Sequence, residues 1–442
     1  TEVRRWGYCS AARMGSAGRL EFANANLQFG ATRGAWVRLR SRGSSVHPTS
    51  GPDSAPIAKG LVRMIRSMPL WVPLVLLCLS VPAAQAQAPR GFTPPPRSPE
   101  VLSDGRATFR LRAPNAKEVA VNCEGTPRLV LTKDEQGVWS GTTPALTPDF
   151  YGYSFSVDGL TLADPSNPLI KAGIMGGPNS IVHVPGPSTL SWEVGNVPHG
   201  VVHRHVYHSQ AIGDERDFYV YTPPGYDPKA ATKYPVLFLL HGMGDNATSW
   251  VVVGRSNVIL DNLIALGKTK PMLVVNTLGY GVPNPEQGMS GMFSPEGQQK
   301  SRDAFTASVL KEVLPLVEKS YRVAEGRENR AITGLSMGGG QSLGIGLNNL
   351  DTFAWIGSFS GAPMMFGETD KAFGNLSEKD NDRIKLLWIA CGSEDFLLNA
   401  NKEFKSWLKG RKVNYTEVET PGAHAWPVWR RNLTEFTQFL FK

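Results

Sequence analysis

Ser336 sits in Gly334-Leu335-Ser336-Met337-Gly338, directly after the run Arg330-Ala331-Ile332-Thr333 and before a Gly-rich segment of helical spacing. A serine hydroxyl is a weak nucleophile, so a catalytic one needs a base beside it and a place for the negative charge that develops. A strand, a sharp turn and a helix would supply part of this. The turn projects the hydroxyl into a cleft, and the helix N-terminus favours negative charge. The same pentapeptide also reads as a Gly-rich loop with a solvent-facing serine, and alone it does not choose between the two.

Two later segments bear on that choice. "LLWIACGSED" closes a strand with Glu394 and Asp395, and "VETPGAHAWPVW" closes the next with His424 in a loop. In the order Ser, acid, His, His424 would take the Ser336 proton and return it to the leaving alkoxide, while Asp395 fixes the imidazole tautomer. Glu394 is the rival acid; Asp395 is preferred because the position just beyond the strand-end turn reaches inward. An oxyanion needs two backbone donors. The amide of Met337 follows the nucleophile, and the amide of Met243 lies in "LLHGMGDN", where Gly242 lets the main chain approach. His241 beside it reads as a loop histidine holding backbone rather than a catalytic group.

These groups meet only if their strands lie side by side. "YPVLFLL" (234–240) and "MLVVNT" (272–277) are near-continuous apolar runs, and "RAITGL", "WIGSFSG", "KLLWIACG" and "NYTEVE" are further strands. Helical spacing appears in "DAFTASVLKEVLPLVEKSY" (303–321) and around 338–349, 399–409 and 427–441. Buried strands alternating with helices predict a mostly parallel sheet with helices on both faces, whose ligands bind at the carboxyl ends of the strands. Upstream, "ATFRLRAP", "EVAVNCEG", "RLVLTKD", "VWSGTTPAL" and "YGYSFSVDG" are short alternating runs at the spacing of an antiparallel sandwich.

"YTPPGYD", "YPVLFLLHGMGDNATSW", "GLSMGGGQ", "CGSEDF" and "GAHAWPVWR" together resemble the esterase D superfamily, and within it carbohydrate esterase family one, the feruloyl and acetylxylan esterases. The resemblance covers residues 197–442. It implies an α/β-hydrolase fold, a Ser336, Asp395, His424 triad and an oxyanion hole from the Met243 and Met337 amides, with no cofactor and no metal. Siderophore (enterochelin) esterases and mycolyltransferases share the superfamily, so the elbow does not choose a substrate. Residues 99–186 resemble, more weakly, the Ig-like early-set domain related to family 48 carbohydrate-binding modules. There Trp139, Tyr151 and Tyr153 could form a sugar platform or a sandwich core. The resulting expectation is a secreted serine esterase acting through an acyl-enzyme on a plant polysaccharide or small aryl ester, feruloylated or acetylated xylan in particular. The alternatives are a siderophore esterase and a non-catalytic carbohydrate-binding protein. Trp250, Tyr280, Phe293 and Trp426, near strand ends, are the expected aromatic pocket. Trp429, at helical spacing from Leu433, Phe436 and Leu440, reads as core.

The whole chain has 442 residues, 41% hydrophobic and 19% charged, with a formal charge of +8. The excess is local: residues 1–63 carry nine Arg and one Lys against Glu2, Glu21 and Asp53, and residues 87–442 balance at 35 basic and 35 acidic. The basicity therefore gives no argument for nucleic acid. "MIRSMPLWVPLVLLCLSVPAAQA" (64–86) has the basic start, Pro-broken apolar run and Ala-Gln-Ala site of a secretory signal peptide, too short for a membrane span. Residues 1–63 then read as non-native upstream sequence or a disordered arm. A Pro-rich linker (87–98), the sandwich (99–186), an interdomain linker with a docking strand (187–212) and the hydrolase domain (213–442) follow. Cys123 and Cys391 fall in different domains and read as two buried thiols. His203 and His205 share a strand face at a spacing that could bind a metal, but nearby acidic or thiol ligands are lacking and a docking strand is the preferred reading.

Overall fold

In the computed structural model the described residues are 94–175, 177, 179–289, 294–361 and 368–442. Residues 1–63, the leader 64–86, most of the Pro-rich spacer and Phe293 lie outside them. Eight strands build the main sheet: β1 (Val201–Ser209), β2 (Asp214–Thr222), β3 (Val236–Leu240), β4 (Leu273–Thr277), β5 (Arg330–Gly334), β6 (Trp355–Phe359), β7 (Leu386–Gly392) and β8 (Thr416–Thr420). Their spatial order is β1-β2-β4-β3-β5-β6-β7-β8. β1, β2 and β4 pair antiparallel, and from β4 to β8 every neighbour is parallel.

The central strands β3, β4 and β6 are buried at every residue, as apolar runs covered on both faces must be. The covering helices are α1 (Ser256–Ala265), α2 (Pro295–Ser308), α3 (Leu314–Ser320), α4 (Met337–Asn348), α5 (Leu398–Gly410) and α6 (Trp426–Phe436). Ser294 caps α2 by accepting from Gly297 N–H, with Pro295 at the first helical position. A π-turn over Val309–Val313 joins α2 to α3. One hydrophobic cluster lies on each face of the sheet, and Trp429, Leu433, Phe436 and Leu440 all belong to the first.

The strand expected as an interdomain linker is instead the edge strand of this sheet. β1 pairs with β2 from Val201↔Thr222 to Ser209↔Asp214, so the sheet begins at Val201 rather than at residue 213. Its histidines serve that attachment: His205 Nε2 lies 2.6 Å from the Tyr321 hydroxyl and His203 Nε2 lies 3.2 Å from Thr222 Oγ1.

Before β1, two antiparallel sheets pack face to face. A four-stranded sheet contains Ala107–Arg112 and Val138–Thr142; a six-stranded one contains Val119–Cys123, Asp149–Val157 and Asn179–Val184. Trp139, Tyr151 and Tyr153 are core here, at 7%, 5% and 1% exposure. Their polar tips are satisfied inside, by Ala113 O, Thr147 O and the Asp164 carboxylate respectively, so they present no sugar platform. Cys123 and Cys391 are both free and buried.

This β-lobe and the eight-stranded lobe belong to one compact unit. Phe150 and Ile181 of the β-lobe join the hydrophobic cluster of the main sheet. At the seam, Arg430 of α6 donates from Nε to Asp149 at 2.7 Å and from its other nitrogens to the carbonyls of Val253 and Phe150. Both Arg430 and Asp149 are fully buried. Among the described residues, no helix is long and apolar enough to cross a membrane.

Candidate active site

Ser336, Asp395, His424 and the 241–246 loop follow β5, β7, β8 and β3, so parallel pairing delivers all four to one edge of the sheet. Between β5 and α4 the chain turns within Leu335 and Ser336. Ser336 takes φ 51° and ψ −115°, a conformation that a side chain rarely adopts. Neighbours without side chains make room for that turn: a Cβ at Gly338 would meet His241 O at 2.5 Å and Leu240 O at 2.6 Å. The strain is held by Ser336 N–H donating to Phe359 O at 2.9 Å and by the helix that follows.

The hydroxyl so presented lies 2.9 Å from His424 Nε2. On the other side of the ring, Nδ1 is 2.8 and 3.0 Å from the two oxygens of Asp395. An ionised carboxylate only accepts, so Nδ1 carries the proton and Nε2 keeps its lone pair toward Ser336. Burial pushes the Asp395 carboxyl up, but hydrogen bonds from His424, the Leu397 amide and Ser360 outweigh it and hold the group below its ordinary value of 3.8. Ser360 also accepts from Trp429 Nε1 at 3.1 Å, and the Trp429 ring stands edge-on to His424 at 4.9 Å. The rival Glu394 is exposed to solvent.

The amide of Met337 opens α4, where no intrahelical carbonyl is available to it. The loop carrying Met243 is anchored by His241, which is 1% exposed. Its Nε2 accepts from Gly279 N–H and its Nδ1 donates to Gly242 O, both at 2.8 Å. Burial pushes this imidazole below its ordinary 6.5, against the opposing pull of Asp245 and the Gly242 carbonyl, and the neutral ring is the form that can accept from Gly279.

The expected aromatic pocket is corrected. Trp250 and Trp426 are each 1% exposed and pack edge-on at 5.1 Å, with Trp250 Nε1 donating to Leu240 O. They are core behind the site rather than a wall open to substrate. Tyr280 is also buried; its hydroxyl accepts from Gly244 N–H at 2.8 Å and donates to Asp245 O at 3.1 Å, so it ties down the loop. Phe293 lies outside the described residues. Beside the triad stands a residue that the sequence motifs did not single out. Phe396, in "CGSEDF", is 76% exposed with its ring 4.5 Å from that of His424. Tyr280, Met289 and Met337 form a small apolar cluster, with Met243 and Ile174 of the β-lobe packed against it.

The chain is similar to known esterases. Residues 209–440 match the family described as "Putative esterase". An endo-1,4-beta-xylanase/feruloyl esterase of Xylanibacter ruminicola is 33% identical over 353 residues, 78% of this chain; the chain spans only 46% of that relative's length. An acetyl esterase of Caldicellulosiruptor saccharolyticus is 22% identical over 47% of this chain and 83% of its own. Among solved structures, a ferulic acid esterase of Anaeromyces mucronatus superposes with a TM-score of 0.50 at 28% identity, covering 58% of this chain and 96% of its own. The enterobactin esterase of Shigella flexneri shares the fold, with a TM-score of 0.58 at 19% identity over 75% of this chain and 93% of its own.

Proposed function

Because the chain belongs to this esterase family, we propose that it is a serine carboxylic-ester hydrolase acting on plant cell-wall esters, feruloyl or acetyl groups on xylan. The observation that carries the proposal is the unbroken chain of hydrogen bonds from Ser336 through His424 to Asp395. Ser336 Oγ attacks the ester carbonyl carbon as its proton passes to His424 Nε2. The resulting oxyanion is met by the amides of Met243 and Met337, one such donor being worth about 3–4 kcal/mol of barrier. Collapse expels the alcohol, which takes the proton from His424, and leaves Ser336 acylated. Water, deprotonated by the same imidazole, releases the acid.

The substrate class rests on two supports. Relatives named for xylanase, feruloyl esterase and acetyl esterase activities match the chain. The exposed Phe396 ring, 4.5 Å from that of His424, offers a face on which an aryl group can lie. Ser336→Ala tests the chemistry: turnover of methyl ferulate should fall by a factor on the order of 10⁶. A variant as active as the parent would show that Ser336 is not the nucleophile, and a parent that turns over no ester would leave a carbohydrate-binding protein as the reading. Parallel rates on methyl ferulate and acetylated xylan then decide the acyl group.

A further inference from the structure

The loop from Gly242 to Asn246 is held from two sides. On one side are His241 and Tyr280, bonded to Gly242 O, Gly244 N–H and Asp245 O. On the other is a short segment of the β-lobe. Lys171 Nζ pairs with Asp245 Oδ1 at 2.6 Å, Ile174 N–H donates to Gly244 O at 2.8 Å, and Asn246 Nδ2 donates to Ala172 O at 3.0 Å. The ion pair is shielded, with side-chain exposures of 17% for Lys171 and 5% for Asp245. It is therefore screened less than a surface pair, and loss of the lysine would leave a buried carboxylate without a partner. Contact is close enough that a Cβ at Gly173 would lie 2.9 Å from Gly244 O.

Docking of the two lobes does not require these contacts, since Arg430 and Asp149 seal the seam elsewhere. What they share is their target, the loop that follows β3, held at the Gly244 carbonyl and at the side chains of Asp245 and Asn246. Gly242 O and Met243 N–H belong to one planar peptide unit, so whatever fixes the loop also aims that amide. Ile174 reaches further, into the apolar cluster with Met243 and Met337.

We propose that the Lys171–Ile174 segment of the β-lobe is a positioning element of the ester-hydrolysing site, clamping the Gly242–Asn246 loop so that the Met243 amide faces the tetrahedral oxyanion. The β-lobe then supplies part of the machinery for turnover. This rests on the Ser336 esterase reading.

Lys171→Met and Gly173→Ala, each in the full chain, test it; the second acts through one methyl and changes no charge. With p-nitrophenyl acetate, kcat should fall about 10-fold, a fraction of the loss from deleting an oxyanion donor, while KM shifts less than about two-fold. Affinity for a trifluoromethyl ketone, whose adduct with Ser336 carries the oxyanion, should fall by the same factor as kcat. Lys171→Arg should retain most of the activity. Melting temperature separates positioning from stability: a variant that melts earlier but keeps parental ketone affinity when folded overturns the proposal. Parental kcat and ketone affinity in both variants, with Ser336→Ala inactive, also overturn it and leave the esterase reading standing. If Ser336→Ala turns over like the parent, the esterase reading fails and the clamp with it. Should Lys171→Met not fold, Gly173→Ala carries the same readouts alone.

Discussion

His241 shows how a histidine near a reaction centre can act without touching the substrate. It holds two backbone groups, Gly279 N–H and Gly242 O, and only the neutral ring can do both. Its folded value lies below 6.5 because burial disfavours the cation. The unfolded chain therefore takes up a proton that the folded one refuses, so the stability that this ring contributes is present above 6.5 and is lost as pH falls below it. Glutamine can keep both bonds and does not titrate. The melting temperature of His241→Gln should accordingly decline less than the parent's between pH 6.5 and about 5; equal slopes would show that this ring is not a source of the acid limb. At this scale the sequence was legible where chemistry is local. Ser336, Asp395 and His424 each sit in a short strand-end motif, and the structure brings them together. Trp250 and Trp426 were misread because an aromatic near a strand end says nothing about which way it faces. Phe396 was overlooked although it adjoins Asp395.

The elements explain why Ser336 can hold its strained backbone. β5 and α4 cross at glycines, and the carbonyls of Leu240 and His241 fill the space where side chains would stand. Gly338→Ala should force α4 away from β3, costing about 1–3 kcal/mol as overpacking does. It should also lower kcat, because the same shift moves the Met337 amide. Denaturant titration beside kinetics checks this, and an alanine variant with parental stability and turnover would refute the crowding argument. The alternation of apolar strands and helices was readable from periodicity, and so was the placement of chemistry at the carboxyl ends. β1 was not, because an edge strand with one half-covered face and several histidines has the composition of a linker. Only its pairing with β2 makes it part of the sheet.

Across the whole molecule, the decisive contacts join residues far apart in the chain. Arg430 and Asp149 are separated by 281 positions, and Asn246 and Ala172 by 74. No local pattern announces such pairs, which is why the β-lobe was expected as an appended module. Asp149→Leu should destabilise the protein by about 3–5 kcal/mol, since it leaves the buried Arg430 guanidinium without its carboxylate, and Arg430→Met should cost less, because Arg431 still pairs with Asp149 at 2.9 Å. Replacing both partners, as Asp149→Leu with Arg430→Met, should recover much of that loss, and chemical unfolding of the single and double variants reads the difference. The sealed pair also bears on inheritance and engineering. Grafting this catalytic lobe onto a foreign β-module would leave a guanidinium facing whatever the new partner offers at that spot. Shuffling of such lobes is therefore constrained to junctions that carry both the carboxylate and the guanidinium across together.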